Sequence, residues 1–67
     1  MKRTKIISTK QENIKDMIMQ YLTDTYNPIK FITTFKNNTY TIYADCNGSI
    51  LGDIILNASA LKDNLIW

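Results

Sequence analysis

The 67-residue sequence contains no histidine, one cysteine, one proline and two glycines. Each scarcity removes a class of chemistry. Without histidine, the usual nucleophilic triads lack their general base. A single thiol, Cys46, forms no internal disulfide, and with no histidine it offers too few donors for a structural zinc site. No lysine or arginine adjoins Cys46 to activate it, so it reads as a turn or strand-end residue. Gly48 and Gly52 are placed on a hairpin by the pattern around them and imply no phosphate cradle. The acids Glu12, Asp16, Asp24, Asp45, Asp53 and Asp63 are spread over separate segments, so no acid pair or metal-ligand spacing emerges. No catalytic, cofactor or metal site is expected.

Long apolar runs are also missing. The basic start is followed only by Ile6-Ile7, far short of a signal-peptide core, and nothing approaches the length of a membrane span. A lone cysteine fits a reducing compartment. The expectation is a cytoplasmic protein without membrane contact. The Asn-x-Ser/Thr triplets at Asn37, Asn47 and Asn57 then read as turn and cap chemistry.

What is present is an ordinary globular composition, 45% apolar and 21% charged. The length permits a single domain, one that buries only about 60% of its unfolded surface. Domains this small gain stability from a disulfide, a metal or a partner subunit. The first two are excluded, which leaves local packing or a homodimer. Net charge is +2, but four of the eight basic residues (Lys2, Arg3, Lys5 and Lys10) fall in the first ten positions.

Ile14, Met17, Ile18, Tyr21, Leu22 and Thr25 repeat at the spacing of one helical face and predict an amphipathic helix over residues 9–25. Thr9 and Glu12 are spaced as a capping box, and Pro28 disfavours helix at Asn27. From Ile29 the period changes to two. Asn37-Asn38 suits a two-residue hairpin loop, which pairs Phe35 with Tyr40, Thr33 with Ile42 and Phe31 with Ala44 on one face. Thr34 meets Thr41, Ile32 meets Tyr43 and Lys30 meets Asp45 on the other. Asn47-Gly48 signals a second hairpin. A bulged register there gives a third strand over residues 50–56, pairing Ile42 with Ile54 and Tyr40 with Leu56.

Ser59 is positioned to cap a short closing helix carrying Leu61 and Leu65 towards Ile66-Trp67; an edge strand through Leu65 is the alternative. Residues 1–8 are a basic arm or a short strand, and residues 9–67 form the domain. The fold class expected is α+β: an N-terminal amphipathic helix on a three-stranded antiparallel β-meander, with a short C-terminal helix.

One helix covers one face of such a sheet. The other face would then show Ile32, Tyr43, Leu51 and Ile55, extended by Met19, and an uncovered apolar patch marks an interface. The function expected is therefore a non-catalytic protein-interaction module, binding another protein or a second copy of itself through a sheet face or edge. The abundance of isoleucine, asparagine and lysine points to AT-rich coding, and so to a phage or other mobile element whose small proteins include inhibitors of host proteins and defence systems. The alternative is a nucleic-acid-binding module. It would grip phosphates with Lys2, Arg3, Lys5, Lys30 and Lys36 and stack bases on Tyr43, Tyr40 or Phe31.

Overall fold

In a computed structural model, which describes residues 3–46 and 48–65, the chain runs through strand β1 (Thr4–Thr9), helix α1 (Glu12–Thr25), strands β2 (Phe31–Lys36) and β3 (Thr39–Ala44), and helix α2 (Ile50–Leu65). The α+β class, the three-stranded antiparallel sheet, the amphipathic helix on it and a C-terminal helix are all as the patterning predicts. One strand changes identity. The sheet order is β1-β3-β2, with β3 central and antiparallel to both neighbours. Thus the third strand is residues 4–9, ahead of the long helix, and residues 50–56 belong to α2.

The hairpin of β2 and β3 forms in the expected register, from Lys36 opposite Thr39 to Phe31 opposite Ala44. Its loop residues Asn37 and Asn38 both adopt left-handed backbone, with φ of 54° and 60°. That conformation matches the twist of a two-residue hairpin and is tolerated well by asparagine. β1 pairs on the far side of β3, with Lys5 opposite Tyr43 and Ile7 opposite Ile42. Ile6 is the extra residue between them, a bulge. The distortion serves the core, because Ile6 is buried.

α1 begins at Glu12 and not at Thr9. Gln11 occupies the cap position without a side-chain bond, and the Thr9 hydroxyl instead accepts the Gln11 amide at 3.3 Å. The capping box does not form, because Thr9 is the last residue of β1 and lies buried there. The apolar stripe of α1 behaves as its spacing requires: Ile14, Ile18 and Leu22 are buried.

α2 replaces the proposed third strand for a reason visible in its own spacing. Leu51, Ile54, Ala58, Leu61 and Leu65 lie three or four residues apart, forming one helical stripe. Ile54 and Ala58 are fully buried, and the other three pack against the core. Gly48, with φ of 82°, turns the chain, and its carbonyl accepts the Leu51 amide at 3.3 Å. It therefore leads into a helix and not across a hairpin. Asn47, Ile66 and Trp67, to which the sequence assigned a turn and a closing segment, lie outside the described residues.

A single apolar cluster joins Ile6, Ile42 and Ala44 of the sheet to Ile14, Ile18 and Leu22 of α1 and to Ile54 and Ala58 of α2. α1 contacts all three strands, whereas α2 packs on β1 and along α1. Both helices therefore share the face of the sheet that carries Ile42 and Ala44. Among the described residues, no helix is long and apolar enough to cross a membrane.

Candidate interaction surface

Alternation along the strands gives the sheet a second face. Ile32, Thr34 and Lys36 of β2 oppose Tyr43, Thr41 and Thr39 of β3, and Lys5 and Ser8 of β1 complete the rows. This surface points away from both helices. Ile32 and Tyr43 stand side by side, half-buried by each other and their neighbours, and are absent from the core cluster. Lys5 and Lys36 on this face are exposed. So is Lys30, which the strand period places on the same side.

Charge is divided between the two layers. Five of the six acids lie on the helices: Glu12, Asp16 and Asp24 on α1, Asp53 and Asp63 on α2. Only two of the eight bases do, Lys15 and Lys62. Lys15 pairs with Asp16, whose hydrogen bond is the first cause holding the lysine pKa above its usual value. Lys62 donates to the Ser8 carbonyl at 2.6 Å. Among the described residues the Lys15–Asp16 contact is the one ion pair. The sixth acid, Asp45, is the cross-strand neighbour of Lys30 without forming an ion pair with it, and Lys5 and Lys36 have no carboxylate opposite them in the register.

The residues singled out from sequence separate into groups. Ile32, Tyr43, Lys5, Lys30 and Lys36 are brought together on the open side of the sheet. Leu51 and Met19 are not; both are half-buried against the core. Leu51 sits on the inner stripe of α2, and Met19 lies beside Ile18 on α1. Ile55 is 38% exposed but lies on α2, away from the open face. The expected patch is thereby reduced to Ile32 and Tyr43, because the segment supplying Leu51 and Ile55 is helix and not strand. Arg3 is exposed just ahead of β1, and Lys2 lies outside the described residues. Residues 4–9 are held in the sheet.

Two aromatics named as stacking platforms lie on the helix side instead. Tyr40 packs against Phe35 with ring centroids 4.5 Å apart, and Lys15 Nζ of α1 sits 5.2 Å from the Tyr40 centroid. Phe31 opposes Ala44 and packs against the core.

The two sheet edges differ. β1 carries the bulge at Ile6, and Lys62 occupies its Ser8 carbonyl, both of which discourage further pairing. β2 has an unbroken register over Phe31–Lys36 and, among the described residues, no strand beyond it. Beside its start lies an open cleft of about 530 Å³, lined by Thr23, Pro28, Ile29, Lys30, Phe31 and Asp45 among others. Phe35, near the other end of this strand, is 60% exposed. The expected meander also leaves residues 29–36 at an edge; what the sequence reading missed is that the opposite edge is β1 and not residues 50–56. Long-range order is not encoded in local period.

Tyr26 forms a separate polar cluster. Its hydroxyl donates to Asp53 Oδ2 at 2.9 Å and accepts from the Asn57 amide, tying the end of α1 to α2. Burial is the main cause raising its pKa, with the Asp53 bond adding and the Asn57 bond opposing. Such a phenol, held neutral between two helices, is a strut. The comparisons return no match for this chain among protein-family models, curated proteins or solved structures.

Proposed function

We propose that this chain is a non-catalytic protein-interaction module that meets its partner with the sheet layer. The observation carrying this reading is the Ile32–Tyr43 pair on a sheet face that neither helix covers. A half-buried tyrosine beside a β-branched residue is a rigid anchor that loses little conformational entropy on binding, and tyrosine is enriched where interfaces concentrate their energy. The surrounding Lys5, Lys30 and Lys36 favour an acidic partner surface, and their free ammonium groups steer encounter. The finer reading, an inhibitor of a host protein carried by a mobile element, draws only on residue usage and the lack of a reaction centre.

One observation favours nucleic acid as a second reading: the lysines collect on the face that bears Tyr43, while the acids collect on the helices. A single aromatic in that position stacks one base, fewer than sheet platforms for single strands generally use. The protein reading is therefore preferred.

Capture from a lysate of the native host, comparing the wild type with Tyr43→Asp, separates the two when run beside titrations with mixed single-stranded DNA and RNA. The expected result is a protein retained by the wild type and lost with Tyr43→Asp, with negligible nucleic-acid binding. Identical captures by both forms overturn the reading. So does micromolar nucleic-acid affinity that falls steeply with salt as counterions are released.

A further inference from the structure

We propose that the free edge of β2 accepts an extended, acid-flanked segment of a partner protein as a fourth strand. This inference rests on the protein-binding reading above and assigns it a second contact, at the edge and not the face. The Asp45 amide donates to the Lys30 carbonyl at 3.1 Å, so the even-numbered residues of β2 turn their backbone groups toward β3. By the alternation of an antiparallel ladder, Phe31, Thr33 and Phe35 turn theirs outward. Three amide donors and three carbonyl acceptors thus line an edge that, among the described residues, no bulge or side-chain hydrogen bond blocks, unlike that of β1. Edges left in this state are templates for an added strand.

The side chains along β2 specify what fits. On the helix side, Phe31 and the exposed Phe35 call for apolar residues opposite them. On the open side, Lys30 and Lys36 mark the two ends of the strand and form no ion pair among the described residues. Both call for acids, Lys36 the more strongly because Asp45 already neighbours Lys30 across β3. Between them, Thr33 Oγ1 is buried without a hydrogen-bond partner. Rotation about χ1 brings that hydroxyl to an incoming threonine, a favourable cross-strand pair. The pattern recognised is acid, apolar, any, threonine, any, apolar, acid. The cleft beside Lys30 and Phe31 leaves room for a larger side chain at that end.

A second copy of the chain is a poorer occupant. The self-pairing that sets Phe31 against Phe35 of the second copy also sets Lys30 against its Lys36, like charges directly opposed. The occupant is a different protein.

The probe is the capped peptide Asp-Val-Thr-Thr-Thr-Val-Asp, titrated into the labelled full chain and followed by NMR. Expected are shifts and slowed exchange at the amides of Phe31, Thr33 and Phe35, and binding at least about tenfold weaker, some 1.4 kcal/mol, when lysines replace the peptide's acids. Lys30→Glu with Lys36→Glu, both at exposed positions, should reverse that preference. Shifts that avoid the β2 edge, no binding, or an unreversed preference overturn the inference. So does a dimer by light scattering whose β2 amides are already protected. The two readings fail separately. If the peptide does not bind but Tyr43→Asp still abolishes partner capture, the open-face reading stands and the edge inference falls. If the peptide binds at the edge while Tyr43→Asp leaves capture unchanged, the open-face reading falls.

Discussion

At Ile42 the side chain is fully buried in the core beneath α1, whereas Tyr43, one peptide bond on, lies half-exposed between Lys5 and Ile32. Truncating Ile42 to alanine should cost about 2–5 kcal/mol, since the cavity left under α1 cannot close fully. In so small a domain that is a large share of the total stability, and urea denaturation would read it directly. Tyr26 offers a finer test. Its hydroxyl joins Asp53 and Asn57 across the two helices, so Tyr26→Phe should lose about 1–2 kcal/mol. It should also change the alkaline limb of the stability profile. Because burial raises the folded-state pKa above the unfolded value near 10, the folded chain keeps a proton that the unfolded chain releases. Stability from this group is complete below pH 10 and declines as pH rises from there through the folded-state pKa. Thermal melts of the wild type from pH 9 to 11.5 should show that decline, and Tyr26→Phe should lack this contribution.

Among the elements, α2 is where sequence and structure part most clearly. Gly52, exposed and with nothing within 4 Å of where a Cβ would stand, sits in its first turns. Gly52→Ala should therefore stabilise the protein by about 0.5–1 kcal/mol through helix propensity. An unchanged or lowered melting temperature would count against a helix there. The β2–β3 hairpin was legible throughout, because alternation and the Asn37-Asn38 loop determine one another: shift either by a residue and every side chain changes face. α1 was legible for the same kind of reason, its stripe repeating over three turns. α2 was not, because Asn47-Gly48 is a strong hairpin signal and Ile50, Ile54 and Ile55 are good strand formers. The stripe emerges only when residues 51–65 are taken as one unit, and the reading broke it at Ser59. A warning was available: a plain two-residue turn at Asn47-Gly48 would set Asp53 opposite Ile42, a carboxylate on the core face, and only an added bulge residue avoids it. β1 was legible only as the short-strand alternative to a basic arm, and its place in the sheet was not. Its lone apolar pair, Ile6-Ile7, breaks alternation, and only the bulge lets both residues stand beside Ile42.

Over the whole molecule, the strands separate a helical layer that carries most of the acids from an open face bordered by lysines. Of the candidate site, strand parity, which is local, located Ile32, Tyr43, Lys30 and Lys36, whereas Lys5, read as part of a basic arm, joins their face only because β1 pairs with β3. It misplaced Leu51, Ile55 and Met19 because their positions depend on what α2 is and where it packs. The proposed function stands on that open face being surface and not core. The most direct measurement is the unfolding free energy of Tyr43→Asp, determined in urea beside Ile42→Asp. With an open face, Tyr43→Asp stays folded and loses no more than about 1–2 kcal/mol, the scale of strand propensity and one cross-strand pair, while Ile42→Asp does not fold. A Tyr43→Asp protein as unfolded as Ile42→Asp would contradict the account.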